Sequence, residues 1–406
     1  MQNASVLGII PAAIVVATCL AACDGPSPQP ARADLSLLLD KLRKEHDIPG
    51  AVLAVRYADG EVEVFASGMT RLDDGRTVDP DDCFYIGSIT KTYTAAVVLQ
   101  LVDEGKLSLD DTLSKYMPAV PRAERMTIRQ LLNHTTGMGD IYLNVYYLPL
   151  QEMLDQLANE WTPDELVRAG TELPTTFEPG TNWAYCDTAY DVLGRVVEIV
   201  TGNPLHDEYQ TRLWEPLGLE SSWLAGREPP RTDTLVTGHL APTDFWPNSR
   251  ELFPKLAPST SIDEPVFAWA GGAIVSNTRE MVTFMDALLG GRIVSRESLD
   301  AMFSFVDNDD GRPLTDPTKT GYGLGVITRH RGSHRRVGHG GMYSGFTAGL
   351  WSVEGEDMIV ALLLNRGLYF DEFKILDAVI EAASASDTVR GTVDSKPRTP
   401  QRRAPG

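Results

Sequence analysis

The most informative stretch of the chain spans residues 84–91 and reads Phe84-Tyr85-Ile86-Gly87-Ser88-Ile89-Thr90-Lys91. The apolar residues that follow predict a helix beginning near Ser88. Positions i and i+3 share a helix face, so the Lys91 amine can reach the Ser88 hydroxyl. A serine becomes a good nucleophile when a neighbouring group takes its proton. The pair predicts an activated acyl-transfer serine. For a bare S-x-x-K pattern, however, a capped helix start with a solvated lysine is the better interpretation, so the rest of the chain has to decide.

Two further segments carry groups that suit the same chemistry. Tyr185 lies in the loop before a helix predicted over 189–201, and a neighbouring ammonium makes a phenol easier to ionise. The alternative here is a surface turn in which Asp187 caps the helix. The glycine-dense strand around His339 lets a substrate backbone lie close and offers a backbone N–H for an oxyanion hole. Its alternative is a hairpin turn with one exposed histidine.

In chain order, Ser88-x-x-Lys91, Tyr185-x-Asp187 and His339-x-Gly341 resemble the motifs S-x-x-K, Y-x-N/D and [KH]-x-G of the penicillin-recognising serine hydrolases. The chain looks like the branch that contains class C β-lactamases, D-alanyl-D-alanine carboxypeptidases and related esterases. The resemblance covers about residues 35–383. It includes four other segments similar to signature segments of the family: 131–138, 177–180, 271–276 and 322–325.

The resemblance implies a role for each motif residue. Ser88 would be the nucleophile that forms a covalent acyl-enzyme, and Lys91 and Tyr185 would share proton transfer. His339 would steer protons and electrostatics beside Tyr185. The backbone N–H groups of Ser88 and Met342 would form the oxyanion hole. Which group acts as the general base stays open.

Two departures from the family pattern bear on the substrate. Asp187 replaces the more usual Asn, and its carboxylate would hold Lys91 as an ammonium and repel an anionic substrate group. Gly340, beside Gly341 in the substrate-binding strand, replaces the usual Thr, whose hydroxyl helps bind substrate carboxylates in the family. Both departures weaken the case for a dedicated β-lactamase. The arginines within 329–336 could recognise a carboxylate instead, or form a solvated basic hairpin.

Motif context settles two other assignments. Lys319-Thr320-Gly321 spells the third motif literally but precedes the strand at Tyr322, so we assign the role to His339. By resemblance, His134 is structural and holds a loop by hydrogen bonds, and Cys186 points away from the substrate.

Composition limits the class of protein. The 406 residues, 43% of them hydrophobic, suffice for a large core. The formal charge of −20 argues against a nucleic-acid partner. The seven histidines are scattered without metal-ligand spacing, so we expect no metal site and no cofactor. Cys83 and Cys186 are expected to be buried, unpaired thiols.

The N-terminus predicts export. Residues 1–22 form a candidate signal peptide whose apolar run ends just before Cys23, as in bacterial lipoproteins. Cys23 would carry the lipid and 23–34 would be a tether, anchoring the protein in the cell envelope, on a bacterial membrane facing the periplasm or exterior. The first five residues lack Lys and Arg, which leaves ordinary secretion or a retained anchor as alternatives.

The periodicity predicts an α+β fold, an α/β sandwich. A helix over 34–45 and a hairpin over 50–66 open the domain, and strands over 322–328, 346–352 and 358–365 precede a helix over 370–383. We expect one antiparallel sheet from the N- and C-terminal segments, flanked by helices, with an all-helical subdomain inserted at about 100–265. The catalytic domain would span 35–383, followed by a disordered tail, 384–406.

The sequence therefore predicts an exported serine hydrolase, related to D-alanyl-D-alanine carboxypeptidases and β-lactamases, that acts through acyl-Ser88. Its substrate would be a small-molecule or peptide acyl compound, such as a cell-wall peptide, a β-lactam or an ester. A small-ester esterase of the same fold is one alternative. A penicillin-binding sensor that is acylated without turnover is an alternative of another class.

Overall fold

The computed structural model describes residues 34–394, except 74, 147, 149–151, 153–155, 157–160, 241–254, 256, 259–267 and 368–369. The predicted signal peptide, the candidate lipid site Cys23 and residues 395–406 lie outside the described residues. Within the described ranges, no helix combines the length and the apolar character that crossing a membrane requires.

The main sheet has eight antiparallel strands in the order β2-β1-β13-β12-β11-β10-β9-β8. A three-stranded sheet, β3-β7-β4, and a two-stranded sheet, β5-β6, complete the strands of the described residues. The strands are β1 (Gly50–Arg56), β2 (Val62–Gly68), β3 (Phe84–Tyr85), β4 (Trp223–Leu224), β5 (His239–Leu240), β6 (Ala257–Pro258), β7 (Ile274–Ser276), β8 (Val306–Asp307), β9 (Gly321–Tyr322), β10 (Ile327–Arg331), β11 (His334–Tyr343), β12 (Phe346–Val353) and β13 (Met358–Leu364).

The two ends of the domain meet in the middle of the main sheet. β1 pairs antiparallel with β13, in a register that places Ala51 opposite Leu364 and Arg56 opposite Ile359. The Gly50 N–H also donates to the Asn365 side chain. The predicted fold class, a sheet built from both terminal segments and flanked by helices, is confirmed.

Helices cover the two faces of the main sheet and fill the region between β3 and β7. In the described residues the α-helices are α1 (Leu35–Glu45), α2 (Thr90–Asp103), α3 (Ile128–Leu132), α4 (Ile141–Tyr146), α5 (Pro163–Thr171), α6 (Asp187–Thr201), α7 (Leu205–Tyr209), α8 (Glu215–Leu217), α9 (Thr278–Leu289), α10 (Arg296–Met302) and α11 (Phe373–Asp394). The predicted bounds of the inserted subdomain stay a prediction.

Side chains of the main sheet alternate between two apolar layers, as the two-residue period of a strand requires. Val52 and Ala54 of β1 belong to the large core that also holds α2, α6 and α9. Leu53 and Val55 face the opposite layer, made by α1 and α11. The central strands are therefore buried on both faces, and they give the site a rigid floor.

Two elements differ from the sequence prediction. The strand predicted over 322–328 is two strands, β9 and β10, because the backbone turns between them: the Gly323 N–H donates to the Val326 carbonyl and Gly325 has a φ of +77°. The closing helix α11 runs to Asp394, so the tail predicted from 384 starts inside it. Once a helix is nucleated by buried turns, each added residue costs little, even where the sequence is polar.

Cys83 and Cys186 are both buried and unpaired, as expected. Burial raises the pKa of the Cys83 thiol to about 12. Neither cysteine has the exposed, lowered-pKa character of a reactive thiol.

Candidate active site

Ser88 is presented by a sharp turn between strand and helix. β3 ends at Tyr85, a 3₁₀ turn covers Gly87–Ile89, and α2 begins at Thr90. Gly87 has a φ of +53°, in the left-handed region that favours glycine. The turn places Ser88, which is half-buried, at the start of the buried helix α2.

The Lys91 side chain is fully buried and its Nζ has three polar neighbours. Nζ lies 3.2 Å from Ser88 Oγ, 2.5 Å from Asp187 Oδ1 and 2.7 Å from the Gly271 carbonyl oxygen. An ammonium donates to all three. A neutral amine would donate to Asp187 and Gly271 and keep its lone pair for the Ser88 hydroxyl. The contacts therefore fit both protonation states of Lys91.

Electrostatic interactions favour the protonated, ammonium form of Lys91. Burial alone would lower the pKa of Lys91, but the charge of Asp187 and contacts with Asp187 and Tyr185 outweigh it and raise the pKa above its ordinary value. Asp187 is the first residue of α6, and Cys186 rather than Asp187 stands at the N-cap position. The Asp187 side chain is 23% exposed, so part of its negative charge is accessible to solvent and to a substrate.

Tyr185 brings a buried hydroxyl to the same place. The Lys91 Nζ lies 4.9 Å from the centre of the Tyr185 ring. The contacts of the hydroxyl with the Lys91 ammonium and the Ser88 hydroxyl fall outside strict hydrogen-bond geometry, but both groups lie close enough to lower its pKa. Burial nevertheless raises the pKa of Tyr185 to about 12, although the Lys91 charge partly opposes the rise. A hydroxyl beside a serine and an ammonium can both accept and release a proton.

His339 is buried next to Tyr185, with ring centres 6.4 Å apart. Its Nδ1 lies 2.5 Å from the Gly340 carbonyl, which only accepts, so Nδ1 carries the proton. Its Nε2 then accepts from the Tyr322 hydroxyl at 2.9 Å. Burial, followed by the charge of Lys91, lowers the pKa of His339 to about 3. This histidine is a neutral, oriented dipole.

His134 supports the loop that carries Tyr185. Its Nδ1 accepts the Cys186 N–H at 3.2 Å, and its carbonyl accepts the Ala184 N–H. Its ring lies 4.4 Å from the ring centre of Tyr185. Cys186 itself is buried, with its thiol directed at the Gly139 carbonyl. These contacts agree with the structural role predicted for His134.

The turn at Ser88 packs directly against β11, close to the backbone of Met342. A Cβ on Gly87 would collide with the backbone nitrogen of Met342, and a Cβ on Gly341 would collide with the Ile86 carbonyl. Only glycine allows so close an approach. The backbones of Ser88 and Met342 therefore lie close together, as the oxyanion hole that the resemblance implies would require.

The strand edge beside the site carries an acidic neighbour. A Cβ on Gly340 would collide with the Glu372 carboxylate. A threonine at this position would require the Glu372 carboxylate to move away from the space that it occupies beside Gly340. Burial raises the pKa of Glu372 to about 7.

Arg329, Arg331 and Arg336 pack against α11, so for these three the expectation of a solvated hairpin was wrong. Arg336 is buried and forms a 2.5 Å ion pair with Asp377 of α11. The guanidinium carbons of Arg329, Arg331 and Arg336 lie 4.7–5.6 Å from the Phe373 ring centre. Cation–π contacts and ion pairs with α11 favour a packed arrangement over a solvated one. These arginines fasten α11 to the sheet.

Lys319, in the literal K-T-G sequence, lies in an exposed loop. Its ammonium pairs with Asp307 at 2.8 Å and Asp309 at 2.9 Å. His339, by contrast, lies among the rings of Tyr185 and Tyr322. In the described residues no cluster of three or more His, Cys, Asp or Glu side chains could hold a metal ion.

Three groups of the site were not singled out from the sequence. The Gly271 carbonyl is a backbone group, and side-chain motifs give no signal for it. Tyr322 lies in a segment noted for resemblance, without a role. Asp140 accepts the Asp187 N–H at 3.1 Å. Its position six residues after His134 was the available clue.

Known proteins are similar to this chain in sequence and in fold. The family model described as Beta-lactamase matches residues 35–384. Penicillin-binding protein 4 of Amycolatopsis lactamdurans is 33% identical over 344 residues, covering 81% of this chain and 84% of that protein. Esterase EstB of Burkholderia gladioli is 33% identical over 210 residues, covering 49% of this chain and 53% of the esterase. The crystal structure of a D-stereospecific amidohydrolase from Streptomyces sp. superimposes with a TM-score of 0.71 and 27% identity, covering 84% and 98% of the two chains.

Proposed function

Because the chain belongs to the beta-lactamase family and is a serine hydrolase, we propose that it cleaves amide and ester bonds of small acyl substrates through a covalent acyl-Ser88 intermediate. D-amino-acid amides, and D-amino-acid peptides without a carboxylate beside the cleaved bond, are the leading substrates. The observation that carries the proposal is that Ser88, Lys91 and Tyr185 meet: the Ser88 Oγ lies 3.2 Å from a buried ammonium, and the Tyr185 hydroxyl lies beside both.

The proposed acylation uses these groups in one sequence. Ser88 Oγ bonds to the acyl carbon while its proton passes to the Tyr185 oxygen. Tyr185 releases its own proton to the leaving amine or alcohol as the C–N or C–O bond breaks, so no free phenolate is required. Lys91 stays an ammonium, and its charge favours negative charge on Ser88 Oγ and on the Tyr185 oxygen during the proton transfers. The N–H groups of Ser88 and Met342 hold the oxyanion. Water then attacks the acyl-Ser88 ester. Its proton passes to the Tyr185 oxygen, and Tyr185 returns its own proton to Ser88 Oγ as the acid product leaves.

The charges of the site favour substrates without a carboxylate near the reacting carbonyl. Asp187 is partly exposed, Glu372 fills the space beside Gly340, and the buried His339 is neutral. Each feature works against binding an anion, as β-lactams and many C-terminal peptides would require. The D-stereospecific amidohydrolase of similar fold supports an amide substrate, and the esterase relative supports small esters as the second candidate.

Export is proposed from the sequence alone. The run before Cys23 suits a lipoprotein signal, which would anchor the enzyme to a bacterial membrane, facing the periplasm or exterior. In the native host, Cys23→Ser should abolish fatty-acid labelling and move the protein from the membrane to the soluble fraction. Unchanged labelling and membrane association would contradict the anchor.

The activity test uses four probes with wild type, Ser88→Ala and the exposed-serine control Ser108→Ala. The probes are D- and L-alanine p-nitroanilide, p-nitrophenyl acetate and benzylpenicillin, followed by turnover and intact mass. We expect turnover of the D-anilide and the ester, a trapped acyl adduct at Ser88, and no activity in Ser88→Ala. Turnover that persists in Ser88→Ala would refute the mechanism. A stable penicillin adduct without turnover of any probe would instead support the sensor.

A further inference from the structure

We infer that Asp140 is a positioning residue of this site, holding the start of α6 so that Asp187 meets Lys91. The inference rests on the proposed function, since it concerns the same proton-transfer group. Asp140 touches neither Ser88 nor Lys91 in hydrogen-bonding geometry. It acts through the backbone of Asp187, which it contacts directly.

The Asp140 carboxylate bridges the starts of two helices. One oxygen accepts the Asp187 N–H of α6 at 3.1 Å, and the other accepts the Tyr142 N–H of α4 at 3.0 Å. In return, Thr188 of α6 accepts the Ile141 N–H of α4 at 3.1 Å. The two helix starts therefore hold each other through reciprocal bonds, with Asp140 as the charged member.

The loop that carries Asp140 is itself fixed. A Cβ on Gly137 would collide with the Phe177 carbonyl, and a Cβ on Gly139 would collide with Leu173. The Gly139 carbonyl faces the Cys186 thiol at 3.6 Å, one residue before Asp187. A carboxylate on so constrained a loop transmits its position to α6, because neither partner has room to adjust.

Charge explains why a carboxylate in this place affects Lys91. The groups that face Asp140 are Asp187 and Asp191 of α6, Lys91 of α2, the Tyr142 hydroxyl of α4 and the Cys186 thiol. Burial, then the charge of Asp187, raises the pKa of Asp140 to about 7, against the two N–H bonds. As the pH falls through this value, Asp140 gains a proton, its acceptor strength falls, and α6 loosens at Asp187.

The test compares Asp140→Asn and Asp140→Glu with wild type. Asp103→Asn is a matched control, because Asp103 also accepts a backbone N–H at a helix start, that of Ser295 at 2.7 Å. We expect Asp140→Asn to lower kcat for p-nitrophenyl acetate about tenfold with KM within about twofold, since small displacements in a reacting geometry cost this much or more. Its pH profile should lose the inflection near neutral pH. Asp140→Glu should restore the inflection and part of kcat, and Asp103→Asn should keep the wild-type profile.

A merely structural role gives a different result. It would lower the melting temperature and scale activity with the folded fraction, leaving the shape of the pH profile unchanged, and that outcome would overturn the inference. A readout independent of turnover is the backbone amide ¹H chemical shift of Asp187, because this N–H donates to the Asp140 carboxylate and should change its shift when Asp140→Asn removes that acceptor charge. If wild type lacks Ser88-dependent turnover while this amide shift changes, the proposed function fails and the positioning stands. An unchanged amide shift refutes the positioning.

Discussion

The Lys91 ammonium and the Asp187 carboxylate lie 2.5 Å apart, with the lysine fully buried and the aspartate partly exposed. A buried charge whose partner is removed is strongly disfavoured, so this pair fixes the protonation state of Lys91. The serine next to it therefore meets a cation rather than a neutral amine. This relationship separates two mechanisms that the motif alone leaves equivalent.

Replacing Asp187 by Asn should move the basic limb of the kcat/KM profile to lower pH by about one unit or more, because Lys91 then loses its charge more readily. The measurement is a pH series with p-nitrophenyl acetate. Asp164→Asn, another acidic residue in the first turn of a helix, should leave the profile unchanged. If activity at neutral pH rises and the acid limb moves instead, Lys91 is the base.

Tyr185→Phe should lower kcat about 10²–10⁴-fold, the usual worth of a positioned acid–base group, without lowering the melting temperature. The contacts of its hydroxyl with Lys91 and Ser88 fall outside strict hydrogen-bond geometry, so removing the hydroxyl should cost little stability. Tyr93 also has a buried hydroxyl without a hydrogen bond in the described structure, and it packs on Phe284. Tyr93→Phe should therefore match the thermal behaviour and keep full activity. A large loss of stability in Tyr185→Phe would show that its hydroxyl is bonded.

Gly87→Ala should reduce kcat about 10²–10³-fold, the loss expected when one oxyanion donor is displaced, because the new methyl group meets the Met342 nitrogen. Gly105 has a similar positive φ, +69°, but a methyl group added there would have no atom within 4 Å. Gly105→Ala should cost about 1 kcal/mol of stability and no activity. Equal kinetic losses in both variants would assign the effect to backbone strain.

Asp191→Asn should stabilise the protein at pH 8 by about 1–3 kcal/mol and have little effect near pH 4. Burial raises the pKa of Asp191 to about 7, and the Tyr142 hydroxyl donates to it at 2.8 Å. A carboxyl whose pKa is higher in the folded state contributes most below its unfolded value. That contribution is lost as the pH rises through about 7. Urea titrations at both pH values measure it, and equal stabilities of variant and wild type at pH 8 would contradict it.

The spacing of Ser88 and Lys91 predicted their contact, and the family resemblance added Tyr185 and His339 to the site. The strand pattern predicted that β1 and the last strands share a sheet. The sequence could not reveal the Gly271 carbonyl, because a backbone acceptor has no residue signature. Nor could it place Arg336, whose partner Asp377 comes from another element. The prediction of one strand over 322–328 was wrong, because the apolar residues of this segment gave no sign of the turn that the backbone makes between β9 and β10.

The pairing of β1 with β13 also determines when this protein can fold. Gly50 and Asn365, joined by a hydrogen bond, are 315 positions apart in the chain. During synthesis, β1 can pair with β13 only after nearly the whole polypeptide has been made. Long-range pairing of this kind makes folding slow and cooperative. A chain truncated before Met358 would leave the central strand open on one edge, a template for association with other unfinished chains.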